Sequence, residues 1–446
     1  MLLKPSFAYT IPVTLLQKIR NSALARDTGH LALGQSLRLI IQAVYFVLIA
    51  RSLGPEKYGA FVAVVALVGV LTPFSSLGTN NLFIKNVRSG LRTAALCWGN
   101  GLAATVLAGT IFTGIVLAIN RLFALRMPVY VVAAVCISDL FLLRVIELAC
   151  FGFAAVDRMK ENAIQTVISS FPRLLAIAFL ALWFRPVTLR EWASGYALAT
   201  VLSALYACYR AHRIWGAPRF LWSALRADVT EGIYFSIGAS AATIYNDIDK
   251  VMLGKFSFAA AGIYAAAYRI IDVSMTPIRA LVSAAYPHFF RRGLDGMAAA
   301  HVYAKTQIKR SCLYSSALAV ALWFSAPLLP MILGHNYAET ALALRWLALL
   351  PFLRSVHSFL GDSLAGAGFQ GLRSLIQVAI ALINVGLNLV ILPKYGWLGA
   401  AWTSLASDGL LLLGLWLAIQ YKLRAAVRSD VRENIAKSYV GSSQHA

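Results

Sequence analysis

The stretch LIARSLGPEKYGAFVAVVALVG, Leu48 to Gly69, decides the fold. Its centre, Gly54 to Gly59, is a turn-like cluster of glycine, proline and two opposite charges, with long apolar runs on both sides. About 200 residues later the pattern recurs as VMLGKFSFAAAGIYAAAYRIIDVSMTPIRALVSAAYP, Val251 to Pro287. A shift of 203 lays Gly59 on Gly262, Phe61 on Tyr264, Arg88 on Arg291 and Gly90 on Gly293. A shift of 204 lays Thr72-Pro73 on Thr276-Pro277. The matches run in order across a whole helical hairpin, so the chain reads as two similar halves. At the turn, Gly54 and Gly59 are expected to supply backbone freedom, and Pro55 to fix the reversal. Glu56 and Lys57 are expected to be solvated.

The runs around this turn lie in a chain of 446 residues that is 59% hydrophobic and 13% charged, with a mean hydropathy of +0.71. Soluble domains carry about 25% charged residues, so a soluble fold could not cover this much apolar side chain. Runs of about 20 apolar residues recur throughout, long enough for a roughly 30 Å hydrocarbon core. A membrane β-barrel would show short alternating segments instead. The fold class is all-α and polytopic. About twelve spans are expected, at 33–53, 59–79, 93–118, 128–152, 164–184, 190–210, 231–254, 262–286, 311–333, 340–364, 373–393 and 397–420.

The formal charge of +22 would suggest nucleic acid in a soluble protein. Here the basic residues sit in short loops, and alternate loops hold about 24 against about eight. That bias puts both termini in the cytoplasm. The expected organisation is a cytoplasmic tail at 1–32, a first lobe at 33–210 and a cytoplasmic linker at 211–230. A second lobe at 231–420 and a cytoplasmic tail at 421–446 complete it. An even number of helices per half makes the repeat parallel, an arrangement that transporters use for alternating access. The five cysteines (Cys97, Cys136, Cys150, Cys208, Cys312) have no metal or redox spacing. No phosphate loop and no HExxH motif occurs. The outside turns are each about ten residues or fewer, which leaves little protein there to host catalysis.

Charges inside spans cost roughly 2.5–3.5 kcal/mol each on insertion scales, and they face a cavity or a partner. Arg144 and Glu147, and Arg269 and Asp272, stand three residues apart and could neutralise each other. Arg38, Arg345, Lys250 and Asp362 lie near span ends and could snorkel. Arg173, Arg279, Arg354, Asp139 and Asp408 lie deeper, with no same-helix partner. The candidate binding set is therefore Arg173, Arg279, Arg354, Arg38 and Arg269, since guanidinium forks suit a phosphate or pyrophosphate. Asp139, Asp249 and Asp408 are candidates for holding those arginines or carrying protons. His335 and His357 form no motif.

ARSLGPEKYGAF after the first span and NDIDKVMLGKFSFAAAGIYAAAYRI around the seventh resemble bacterial polysaccharide transporters. So do PHFFRRG, LGHNYAETALALRWLALLPFLRSV and NLVILPKYGWLGAAWTSLASD, all in the expected order from Leu31 to about Tyr421. These are the O-antigen-type flippases of the superfamily that also holds multidrug exporters and the lipid II flippase. The resemblance implies two six-helix lobes around a cationic cavity. It also implies transfer of an undecaprenyl-pyrophosphate-linked oligosaccharide to the periplasmic leaflet of the bacterial inner membrane. No resident cofactor is implied; a proton or sodium gradient would drive the transfer. The implied partners are the lipid-linked oligosaccharide, membrane lipids, a polysaccharide polymerase and a chain-length regulator, with no nucleic acid. Asp249, Leu253, Gly254 and Tyr264 match the family pattern. The runner-up is a multidrug or metabolite antiporter of the same superfamily, against which the arginine-rich interior argues. A membrane polymerase or ligase would need a large periplasmic loop, which is absent here.

Overall fold

The computed structural model describes residues 23–184 and 186–442. Residues 1–22 of the expected N-terminal tail and 443–446 of the C-terminal tail lie outside the described residues. Among the described residues every regular element is helical. The first part of the chain forms α1 (Ala23–Ser75), α2 (Thr79–Arg88), α3 (Ala94–Leu122) and α4 (Val129–Cys136). A π-helical turn, Ile137–Leu142, leads into α5 (Leu143–Ala155), followed by α6 (Met159–Ile168), α7 (Phe171–Trp183) and α8 (Leu189–Trp215). Then come α9 (Trp222–Phe256), α10 (Phe258–Ser274), α11 (Thr276–Gly293) and α12 (Met297–Ser325). Last are α13 (Leu328–Leu333), α14 (Ala338–Leu347), α15 (Leu350–Gly366) and α16 (Gln370–Ser442).

Capping residues set several starts. Thr188 and Glu191 form a reciprocal capping box at α8, with Glu191 N donating to Thr188 Oγ1 at 3.2 Å and Thr188 N to Glu191 Oε2 at 2.8 Å. Ser257 caps α10 by accepting from Ala260 N at 3.2 Å. The opening turn does not end α1. The helix kinks there, at Gly54, whose φ of 69° lies in the left-handed region that glycine tolerates. Gly396 kinks α16 in the same way, with φ 54°.

Five helical stretches among the described residues are long and apolar enough to cross a membrane: Gly29–Arg88, Ala94–Leu122, Val129–Ala155, Met159–Trp183 and Gln370–Ala425. The two longest contain the kinks at Gly54 and Gly396. The count of twelve is not reproduced by length and hydropathy alone. Helices α10 and α15 have only 17 residues each and carry charges within them. The side-chain pattern of α8 shows what surrounds it. Leu198, Leu202, Leu205 and Tyr209 are more than half exposed along one face, while Ala199, Ser203, Ala207 and Ala211 are buried on the other. Apolar side chains outside and small ones inside are the arrangement of a helix that faces lipid. The chain is a multi-pass membrane protein.

Two compact units divide the chain. The first takes the described residues up to Ser52 together with Val68–Phe123 and Met127–Ser240. Its core gathers Phe83, Trp98, Leu148 and Phe153 around Trp215, whose ring lies 5.2 to 5.5 Å from those of Phe153, Phe83 and Trp98. Helix α9 begins in this unit, held by Ser236 and Ser240, which donate to the carbonyls of Pro73 (2.9 Å) and Val70 (2.6 Å). Near the start of α9, Asp228 accepts from Asn86 at 3.0 Å and pairs with Arg92, and Glu231 pairs with Lys85.

The second unit takes Leu53–Leu67, Ala124–Arg126 and the residues from Ala241 on. Its core includes Leu360, Leu364, Leu411, Leu415 and Ile419. The opening turn belongs here because of one close approach. A Cβ on Gly59 would stand 1.8 Å from the Phe258 carbonyl oxygen, and one on Gly262 would stand 2.0 Å from that of Pro55. Gly59 is therefore needed for its missing side chain, whereas Gly54 is needed for its φ. Glu56 is exposed, as expected, and Lys57 is half-buried.

Gly59→Val should lower folded protein in the membrane fraction sharply. Overpacking of this kind costs about 1–3 kcal/mol even among flexible side chains, and here the obstacle is backbone. Glu56→Gln should leave the amount unchanged. Quantitative membrane blots read both, and full abundance of the Gly59→Val variant would contradict the close approach.

Candidate functional site

Each unit buries an arginine and an aspartate together. In the first, Asp139 sits in the π-helical turn, a helix irregularity often found at functional sites. Its Oδ1 accepts from the Tyr196 hydroxyl at 2.7 Å. Arg173 on α7 reaches the same place. Its Nη2 and Nε donate to Thr200 Oγ1 at 3.0 and 3.3 Å, and its guanidinium lies 4.3 Å from the centre of the Tyr196 ring. The Asp139 carboxylate is 3.9 Å from Arg173 Nη2. Thr200, in turn, donates to the Tyr196 carbonyl at 2.8 Å. Arg173 is thus held by a hydroxyl and an aromatic face, with its carboxylate at the limit of ion-pair distance.

In the second unit, Asp408 on α16 is 1% exposed. Arg354 Nε donates to its Oδ2 at 3.0 Å, and Tyr245 donates to its Oδ1. Arg354 Nη2 donates to the Tyr268 hydroxyl. His357, one turn further along α15, places Nε2 3.3 Å from Asp408 Oδ1. Lys250 pairs with Asp247 and lies 4.1 Å from the centre of the Tyr268 ring. Asp249 accepts from the Tyr264 hydroxyl and from Lys250 N at 2.8 Å, and Tyr264 also meets Ser404 Oγ at 2.9 Å. A second polar chain adjoins on α16. Thr403 donates to Asn388 at 2.6 Å, Asn388 to Asn384 at 2.9 Å, and Asn384 to Ser407 at 2.9 Å.

The structure thus brings Arg173 together with Asp139, and Arg354 with Asp408. It places Asp249 nearby in the second unit, beside Tyr264. Arg279 is different. Its side chain is 55% exposed, and it bonds the Asp272 carbonyl while lying 3.8 Å from that carboxylate. It was expected to have no same-helix partner; α11 starts at Thr276, so Arg279 sits in its first turn, and the partner it finds is on the preceding helix, at the end of α10. The Asp272 carboxylate accordingly lies beside Arg279. Arg38 and Arg269 are half-buried, and each has partners. Arg144 and Glu147 do neutralise each other, at 2.5 Å. Arg345 lies 5.9 Å from the Trp323 ring centre, and Asp362 pairs with Arg373 at 3.0 Å.

Sequence reasoning assigned no role in the site to the tyrosines and the threonine, although Tyr264 had been marked as matching the family pattern. Tyr196, Tyr245, Tyr264, Tyr268 and Thr200 solvate the buried charges, yet in the sequence they look like ordinary members of apolar runs. The spacing of Tyr264 and Tyr268, one turn apart and just ahead of Arg269, was the available signal. His357 was passed over because its partner lies 51 residues away in the chain. Among the described residues no group of three or more histidine, cysteine or acidic side chains could hold a metal.

Comparison with known proteins places this arrangement. The family model described as polysaccharide biosynthesis protein matches residues 24–292. A Haloferax volcanii protein named as the probable low-salt glycan biosynthesis flippase Agl15 is 21% identical over 391 residues, covering 85% of this chain and 79% of that protein. An Escherichia coli K12 protein named as an O-antigen transporter is 23% identical over 399 residues, covering 86% and 94%. Among solved structures, the lipid II flippase MurJ in an inward closed conformation superposes with a TM-score of 0.70 at 11% identity, covering 87% of each chain. An inward-facing multidrug resistance MATE transporter of the MOP superfamily gives 0.63 at 15% identity, covering 86% and 96%. These solved structures share the fold of this chain, and with a family model spanning more than half of its residues the chain belongs to the polysaccharide biosynthesis protein family.

Proposed function

We propose that this protein moves an undecaprenyl-pyrophosphate-linked oligosaccharide from the cytoplasmic to the periplasmic leaflet of the bacterial inner membrane, for surface polysaccharide assembly. The observation that carries the reading is the state of Arg173. It is a half-buried guanidinium, 17% exposed, held by a hydroxyl and a ring, with the Asp139 carboxylate at 3.9 Å. Such a fork can add a phosphate without first breaking a tight ion pair. Arg354 supplies a second fork, in the other unit, held more firmly by Asp408. The family membership and the names of the two relatives support the same cargo class. The delivered oligosaccharide would pass to a polymerase and a chain-length regulator. The likeness to multidrug transporters supports a second reading, a metabolite or drug antiporter. Buried arginines repel cationic cargo, which favours the first.

Arg173→Lys and Arg354→Lys keep the charge and remove the fork. Each should lower surface-polysaccharide export at least about tenfold at unchanged protein level, since losing one bidentate contact corresponds to a kcal/mol or more. Arg354→Ala alone would leave Asp408 buried without its guanidinium, at about 3–5 kcal/mol, so the Arg354→Leu/Asp408→Leu pair is the better apolar control. It should be abundant and inactive. Full export by the Lys variants would remove the forks from the cargo site, and export of cationic drugs by the unmodified protein would favour the antiporter.

Arg279→Ala should leave export nearly intact. An exposed pair such as Arg279 with Asp272 contributes about 0–1 kcal/mol, and export assays beside membrane blots will measure it. For orientation, reporter fusions at Gly216 and Gly293 should read cytoplasmic, and one at Asn336 periplasmic, following the basic bias of the loops. A periplasmic signal at Gly216 would reverse the assignment.

A further inference from the structure

Trp215 ends α8 against the aromatic core of the first unit, and Trp222 begins α9. The segment between them, Gly216 to Leu221, is not helical, yet it is held firmly. Gly216 turns the chain with a φ of 80°. Arg219 N then donates to the Ala95 carbonyl at 3.0 Å, and Leu221 N to Asn100 Oδ1 at 3.0 Å. This strap lies so close to α3 that a Cβ on Gly99 would stand 2.0 Å from the Arg219 carbonyl oxygen. Just beyond, Ala224 and Leu225 are buried, and Arg92 donates to the Ala224 carbonyl at 3.2 Å. The backbone is thus laid against the protein while the large side chains stay outside. Phe220, Leu221 and Trp222 are 56%, 50% and 62% exposed, with the two aromatic rings 6.3 Å apart.

Consecutive exposed apolar side chains are unfavourable in water, so their fixed display needs a cover. Helix α8 shows where that cover is. Its exposed apolar stripe, Leu198, Leu202, Leu205 and Tyr209, continues at helical spacing to exposed His212 and Arg213, and the strap follows within a turn. The lipid-facing side therefore turns from apolar to charged where the strap begins. Non-helical backbone is not tolerated in open hydrocarbon. The strap accordingly lies at headgroup depth, the level at which tryptophan rings concentrate. The charge agrees with this depth. Arg213, Arg219 and Arg226 are exposed, and among the described residues no acidic side chain pairs with them. The acids of this region are already taken, Glu161 by Arg210, Asp228 by Arg92 and Glu231 by Lys85. Aromatic rings beside unpaired arginines are the chemistry of an anchor on an anionic lipid surface. We propose that the strap is a membrane-interface anchor, which seats Phe220, Leu221 and Trp222 among the outermost acyl carbons and binds anionic phospholipid headgroups through Arg213, Arg219 and Arg226. The inference concerns the bilayer around the first unit and is independent of the cargo.

The test uses the full chain in phosphatidylcholine nanodiscs, with 5-fluorotryptophan in place of tryptophan. The Trp222 signal is identified by its loss in Trp222→Phe. Lipid carrying a nitroxide near the top of its acyl chain should broaden that fluorine signal more than a water-soluble gadolinium chelate does. Stronger broadening by the chelate would place the strap in water and overturn the proposal. Protection from both agents would mean that protein covers the strap, a second copy or another part of this chain, and would overturn it equally. Headgroup preference is read by comparing spin-labelled phosphatidylglycerol with spin-labelled phosphatidylcholine at equal mole fraction. The anionic lipid should broaden the Trp222 signal about threefold more, since each arginine at the surface adds to the attraction. Replacing the three arginines together, Arg213→Gln, Arg219→Gln and Arg226→Gln, should remove that preference while the broadening by phosphatidylcholine persists, which shows the strap still seated. Equal broadening by the two lipids in the unmodified chain, or an undiminished preference in the triple variant, would overturn the anionic site.

Discussion

Between Pro55 and Gly59 and between Phe258 and Gly262, two backbone segments lie against each other with no room for a side chain on either glycine. The rest of the second unit is built outward from that approach. Without Cβ atoms at Gly59 and Gly262, the kink at Gly54 can be seated on the start of α10. Just beyond, Ala63 packs on Gly254 at a distance that a Cβ on that glycine would reduce to 2.5 Å. Lipid offers no hydrophobic drive for helices to associate, so small residues that permit close contact take its place. The first unit uses the same device. A Cβ on Gly78 would stand 2.1 Å from the Gly232 carbonyl oxygen, and one on Gly232 would stand 2.2 Å from that of Leu77.

The repeat explains why the first contact pairs these two glycines. Gly59 and Gly262 are the residues that the 203-residue shift superposes. A segment that needs a bare backbone in one half meets its counterpart with the same need in the other. Residues 53–67 therefore cluster with the second unit, although the chain enters them from the first and returns to it at Val68. Sequence position alone would have assigned them to the first.

Fold class was legible because it follows from run length and loop charge, both local. Which charges pair was legible only where the partners are three residues apart, as with Arg144 and Glu147 or Lys250 and Asp247. Arg354 and Asp408 were each marked by depth, yet their union spans 54 positions and depends on how α15 packs on α16. The tyrosines were invisible for a different reason. A tyrosine in an apolar run buries its ring in any case, and its hydroxyl becomes informative only when the charge beside it is known. The partner of Arg279 was hidden because the break between α10 and α11 at Met275 puts Asp272 on the preceding helix.

A buried ion pair is weak evidence for stability, since apolar replacements are often neutral or better by about 1–4 kcal/mol. The second unit nevertheless keeps Arg354, Lys250, Asp247, Asp249, Asp408 and His357 close together, and it surrounds most of them with tyrosine hydroxyls and rings. Packing alone would not select that. Neutral donors and acceptors lower the cost of each charge without cancelling it, so the charges remain able to change partners. A core sealed by matched ion pairs would be as buried but fixed. The tyrosine-lined clusters instead leave the arginine forks differently committed, Arg173 loosely and Arg354 tightly. On the proposed flippase reading, that inequality would present an anionic cargo with two forks held to different degrees.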